Sequence, residues 1–148
     1  TLLPGGWEDD VRAALAEPGT VMGAFELGIG GPGAGLRLVE RLANWRSRRW
    51  GLPYGDQAIF VSAETFRLAG AFPDQPIMED YELARRLARL GRVRIVNRKV
   101  LTSPRRWKKL GALRTTLINQ AIIVGYRLGV PPARLDTWYR GKRRATID

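Results

Sequence analysis

Glu79, Asp80 and Glu82 stand together in PIMEDYELARRLARLG, residues 76–91, where a helix pattern begins. A carboxylate can take the proton of an attacking hydroxyl group if it sits within about 3 Å of it. The chain has no His, which removes the commonest general base and the Ser-His-Asp triad. It has no Cys either, so thiol chemistry, disulfides and Cys/His zinc sites are excluded. Acid–base chemistry therefore falls to carboxylates, Tyr or Lys. The same acids also suit a structural task, since Asp is a good N-cap and a negative charge near a helix N-terminus is worth about 0.3–1 kcal/mol. Capping needs one acid, and this segment carries three.

Asp56, in YGDQ, is the next candidate. Asp favours turns because its side chain bonds local backbone, so a turn residue and a site residue are both open. Gln57 beside it carries no separate signal. The third constellation is basic: RKVLTSPRRWKKLGALR, residues 98–114, holds seven Lys or Arg and no acid. Such a run is most simply a solvated face. Here Trp107 sits beside Arg105 and Arg106, which also suits phosphate-plus-ring recognition, a lipid interface or single-stranded nucleic acid.

These residues need elements to hold them. WEDDVRAALAE, residues 7–17, reads as a helix with an acidic first turn, ended by Pro18-Gly19. Residues 20–27 read as a strand. GIGGPGAG, residues 28–35, reads as a flexible loop, since it lacks the Lys and Ser/Thr of a P-loop and fits no dinucleotide fingerprint. Residues 36–50 read as an amphipathic helix whose stripe is Leu38, Leu42 and Trp45, widened by Val39 and Ala43. QAIFVS, residues 57–62, reads as a strand, AETFRLAGAF as a short helix, 79–90 as the acidic helix and 92–96 as a strand. Residues 110–128 form a long helix, and PPARLDTWYR opens another. Strands and helices alternate, which predicts an α/β fold with a thin sheet of about three strands.

The length of 148 residues fits one domain with a core. Lys and Arg number 25 against 14 Asp and Glu, a net charge of +11 that favours polyanionic partners. No signal peptide is visible. The longest apolar stretch, 117–130, is interrupted by Asn119, Gln120 and Arg127, too polar to span a bilayer. A first residue other than Met and a low strand count, where sheets usually have about five or six, predict that the chain is the second part of a longer protein.

As a block, residues 54–96, YGDQAIFVSAETFRLAGAFPDQPIMEDYELARRLARLGRVRIV, resemble the acceptor-side half of bacterial family 2 glycosyltransferases with the GT-A fold. The likeness lies in the order: a GDQ turn, a short strand, an E-x-F-x-x-x-G-x-F helix and an E-D-x-E-L helix. It extends from residue 1 to about residue 140, and its nearest subgroup carries PYGDQ, MED-x-EL and a following RRW. The resemblance implies a partial GT-A fold with a thin mixed sheet flanked by helices and a helical C-terminus. Residues 1–97 would be the acceptor-side α/β part, and 98–148 the basic segment and C-terminal helices.

The resemblance also implies inverting transfer of a sugar from a nucleotide-sugar donor to an acceptor hydroxyl. Asp80 then matches the general base, with Glu79 its neighbour, and Asp56 matches the acceptor-site carboxylate, with Gln57 beside it. Arg105 and Arg106 would meet the leaving diphosphate and Trp107 the acceptor. Arg106-Trp107 matches the end of the Q-x-x-R-W motif of processive members, but Ser103 stands where Gln would be. A divalent cation, Mg²⁺ or Mn²⁺, is implied for the complete enzyme. The family's nucleotide-binding strands and D-x-D-like motif precede the region that starts here at TLLP. No metal ligand is therefore assigned, and the 148 residues alone are expected to be inactive and to bind nucleotide sugars weakly.

Two other classes remain as alternatives. A basic nucleic-acid-binding module explains the net charge but not the acidic helix start, and no helix-turn-helix, zinc or RRM motif is evident, so nucleic acid is not the expected partner. A peripheral membrane module would lay residues 110–128 and RLDTWYRGKRR on an anionic surface, which is compatible with transfer chemistry. The expected location is cytoplasmic, with a position at the inner face of the plasma membrane as the peripheral variant.

Overall fold

The structure, a computed structural model, describes residues 1–105, 107 and 111–144. Among them the order is α1 Trp7–Ala16, β1 Thr20–Ile29, α2 Ala34–Trp50, α3 Ala63–Leu68, α4 Glu79–Leu90, β2 Arg92–Thr102, α5 Ala112–Arg127 and α6 Pro132–Arg144. The class is α/β, as the alternation predicts. The sheet, however, is two parallel strands rather than a mixed one, paired from Thr20 with Arg92 to Ile29 with Thr102. The division expected at residue 97 falls inside β2.

The strand expected over 57–62 is replaced by an isolated antiparallel bridge, in which Phe60 and Gly23 exchange N–H···O bonds of 2.8 and 2.9 Å. The backbone gives the reason. Gly55–Gln57 closes a single 3-10 turn, and Ala58 follows at φ 48°, a left-handed conformation that breaks an extended run. The Phe60 ring then lies directly on Gly23, where an added Cβ would stand 2.1 Å from Cζ. Gly23→Ala is accordingly expected to destabilise the fold by about 1–3 kcal/mol through overpacking. Urea unfolding of Gly23→Ala with and without Phe60→Leu checks this: the smaller side chain should recover part of the loss.

Among the described residues, β1 has a strand partner along one edge only. Unpaired strand edges invite association with other chains. Here the second edge is met by side chains. Gln57 Nε2 donates to Phe25 O at 3.1 Å. Asn44 accepts from Leu27 N at 2.7 Å and donates to Leu27 O at 3.0 Å. Glu40 accepts from Ile29 N, and Arg37 donates to Ile29 O. With Gly23 held by Phe60, every second residue from Gly23 to Ile29 has an edge partner.

This ladder turns α2 over. The expected stripe Leu38, Leu42 and Trp45 is exposed, and the buried residues are Leu36, Glu40, Asn44 and Ser47. Of the apolar residues read as the inward face, Val39 and Ala43 pack against the core, but Leu38, Leu42 and Trp45 do not, because backbone groups of a buried strand demand polar partners. Arg37 also donates to Gly31 O, and Gly30 N bonds Thr102 O, so the glycine-rich loop is tied down.

Alternation along β1 sends side chains to two cores. Met22 joins Leu83, Ala84 and Leu87 of α4, with Phe66 and Val93 at the margin. Leu27 and Ile29 join Leu36 and Trp107, with Val39 and Ala43 beside them. Part of the basic segment is structural. Arg98 pairs with Asp10 at 2.6 Å and donates to Gly5 O, and Arg94 pairs with Glu17 at 3.0 Å, which fixes α1 against β2. Among the described residues no helix is long and apolar enough to cross a membrane.

Candidate functional site

Two local features bring the acids together. The 3-10 turn Gly55–Gln57 is pinned from below by Gln57, whose side chain is fully buried. Its Oε1 accepts from Ser47 Oγ at 2.7 Å, while its Nε2 holds β1. Second, α4 starts from Met78 at φ 68°, so the N-cap position belongs to Met78 and not to an acid. Asp80, one residue inside the helix, serves two backbone donors. Its Oδ1 accepts from Tyr81 N at 2.7 Å and its Oδ2 from Gly55 N at 2.8 Å. Glycine at 55 leaves room for this seat, because a Cβ there would stand 2.8 Å from Asp80 Oδ2 and the carboxylate would have to shift.

Asp56, Glu79 and Asp80 consequently line one cavity of about 280 Å³, with Tyr54, Asn119 and Tyr139 among its other walls. A second cavity of about 230 Å³ shares Tyr54, Asp56 and Asn119 and continues between Arg46, Trp45, Trp50 and Trp107. The Arg46 guanidinium lies over the Tyr54 ring, 3.4 Å from its centroid. Burial lowers the Arg46 pKa and raises that of Tyr54, each against the pull of the other. The Arg46 Nε is buried without a hydrogen-bond partner among the described residues.

Glu82 faces the other way. It accepts from Arg85 and Arg86 on its own helix and from Tyr126 of α5, whose hydroxyl lies 3.0 Å away. Tyr126 packs edge-on to Tyr81, and Tyr81 to Tyr54, so a row of rings links α5, α4 and the turn. Burial pushes the Glu82 carboxyl up, but the hydrogen bonds from Arg85, Tyr126 and Arg86 outweigh it and the net shift is downward from 4.5. A carboxyl that is a stronger acid folded than unfolded stabilises the fold above its unfolded pKa. That contribution disappears as pH falls from about 4.5 through the lower folded value. Glu82→Gln should therefore show a shallower loss of stability below that pH, read from melting temperatures across an acid series. A slope equal to the parent's would contradict this role.

The candidates thus divide. Asp56, Glu79 and Asp80 share a cavity. Trp107 is buried in the second core and forms a wall of the second cavity. Gln57, expected to meet an acceptor, is at 0% exposure and its side chain is engaged by the scaffold. Arg105 is exposed, bonds Ser103 Oγ through Nε at 3.1 Å and lines neither cavity. Arg106 lies outside the described residues. Arg46, Tyr54, Asn119 and Tyr139 were not singled out from sequence. Asn119 did leave a signal, as a polar break in the apolar stretch 117–130. Nothing separates Arg46 from the other arginines of α2 until Tyr54 is seen against it.

Among the described residues no group of three or more carboxylates converges as a set that could hold a metal ion. Comparison with family models, with curated proteins and with solved structures finds no match.

Proposed function

We propose that these residues form the acceptor side of an inverting, family 2-type glycosyltransferase of partial GT-A fold, with a nucleotide sugar as donor and Asp80 as general base. The observation that carries this reading is the Asp80 carboxylate, held between Gly55 N and Tyr81 N at the wall of a cavity it shares with Asp56. An ionised carboxylate has about four lone-pair positions. Two are taken by backbone donors, which fix its direction, and the others remain for an acceptor hydroxyl. As the hydroxyl oxygen forms its bond to the anomeric carbon, its proton passes to Asp80 and the nucleoside diphosphate leaves from the opposite face. Asp56, on the same wall, orients the acceptor by accepting from a second hydroxyl. Tyr54 and Tyr139 offer apolar ring surface beside polar hydroxyls, which suits a polyhydroxylated guest.

The GDQ-to-ED order in the sequence and the Gly55–Asp80 bond in the fold support the same site from different directions. The test is a transfer assay on the encoded polypeptide carrying these residues, with a panel of nucleotide sugars and Mg²⁺ or Mn²⁺ supplied. Asp56→Asn should raise the acceptor KM more than it lowers kcat, because it removes positioning rather than proton uptake. An unchanged acceptor KM would remove Asp56 from the site.

A further inference from the structure

The inverted seating of α2 leaves an apolar line outside. Leu38, Leu42 and Trp45 are 57%, 51% and 58% exposed, at i, i+4 and i+7 on the side away from Glu40 and Asn44. Trp50, 56% exposed, stands edge-on to Trp45 with ring centroids 5.3 Å apart. A single exposed leucine needs no explanation, but large apolar side chains in one line mark a contact surface. The flank of this line is basic. Arg37 and Arg48 pair with Glu40 and Glu26. Arg41 and Arg49 are exposed and form no ion pair among the described residues.

We propose that this face of α2 docks the protein on an anionic lipid surface. Leu38, Leu42, Trp45 and Trp50 enter the boundary between headgroups and acyl chains, and Arg41 and Arg49 meet lipid phosphates. Charge selects this occupant over a second copy of the chain. Two such faces brought together would set arginine against arginine in a chain of net charge +11, whereas an anionic bilayer supplies the opposite sign. Tryptophan beside arginine around an apolar stripe is the composition that interfacial helices use. Leu42, Trp45 and Trp50 also line the second cavity, so its wall would lie at the lipid surface. The surface differs from the one expected from sequence, residues 110–128 and the C-terminal basic segment. It does not rest on the transfer reading, and either can fail without the other.

The absence of Cys allows a single fluorescent probe to be placed on the 148-residue chain. An environment-sensitive fluorophore at Leu42→Cys should shift to the blue with vesicles of equal parts phosphatidylglycerol and phosphatidylcholine. The same probe at Leu68→Cys, on the exposed α3 position, should not. Leu38→Gln/Leu42→Gln/Trp45→Gln should weaken sedimentation with those vesicles about tenfold or more, with an unchanged circular dichroism spectrum. Arg41→Gln and Arg49→Gln should each weaken it about fivefold, and the effect should shrink with added salt. Equal shifts at positions 42 and 68, or undiminished binding of the triple variant, would overturn the proposal. So would a blue shift at 42 that grows with protein concentration in the absence of vesicles, which would assign the face to a second copy.

Discussion

Asp80→Asn is expected to lower kcat by about 10²–10⁴, the range for loss of a positioned general base. The structure adds a cost that the sequence did not announce. The carboxylate accepts from both Gly55 N and Tyr81 N, and an amide has only one oxygen to offer them. Asp80→Asn should therefore also lose about 1–2 kcal/mol of stability, and the two effects must be separated. Gly55→Ala does so, because its methyl group would displace the carboxylate from 2.8 Å while leaving it a carboxylate. If proton uptake is the role, Asp80→Asn is far slower than Gly55→Ala at equal folded fraction. If Asp80 only holds the turn, the two variants lose rate in parallel with melting temperature. Glu79→Gln should cost less than either in rate, since Glu79 is exposed and lines the same cavity without holding the turn.

The largest stability effect is expected at Asn44. Its side chain satisfies both backbone groups of Leu27, a residue 2% exposed. Asn44→Leu keeps the number and branching of side-chain heavy atoms and leaves a buried N–H and a buried C=O without partners, at about 1–3 kcal/mol each. A loss of about 2–6 kcal/mol is a large part of the roughly 5–15 kcal/mol typical of a domain. Asn44→Asp keeps the acceptor for Leu27 N but sets a carboxylate oxygen against Leu27 O in a buried place, so it too should destabilise. Urea denaturation measures both losses. The variant should also associate more readily, because its strand edge is reopened. A loss under about 0.5 kcal/mol for Asn44→Leu would show that the ladder is not what closes this edge.

Asn44 also shows where the sequence was legible and where it was not. The α4 boundaries, Glu79–Leu90, follow from the acidic start and Gly91, and the alternation predicts the α/β class. On α2, Val39 and Ala43 were placed inward correctly but Leu38, Leu42 and Trp45 were misread, because leucine spacing is a local signal. The demand that turned the helix comes from the second edge of β1, which among the described residues meets side chains rather than a strand, and that is a tertiary fact. The strand at 57–62 was overcounted for a similar reason: QAIFVS has strand composition, but the turn at Gly55–Gln57 and the left-handed Ala58 leave only the Phe60 bridge. At the site, Asp56 and Asp80 were singled out because the chain has no His, both stand at element starts and both match the resembling block, and the structure brings them to one cavity. Arg46 and Asn119 were not, since their part depends on which helix faces which turn.

The reading stands most directly on the stereochemistry of a single transfer. The encoded polypeptide is incubated with α-linked nucleotide-sugar donors, Mg²⁺ or Mn²⁺ and candidate acceptors, and the product's anomeric configuration is read by NMR. A β-linked product, formed by the parent and reduced about 10²–10⁴-fold in Asp80→Asn, is the predicted result. An α-linked product, or transfer that proceeds at the parental rate without the Asp80 carboxylate, would contradict the assignment of Asp80 as the base.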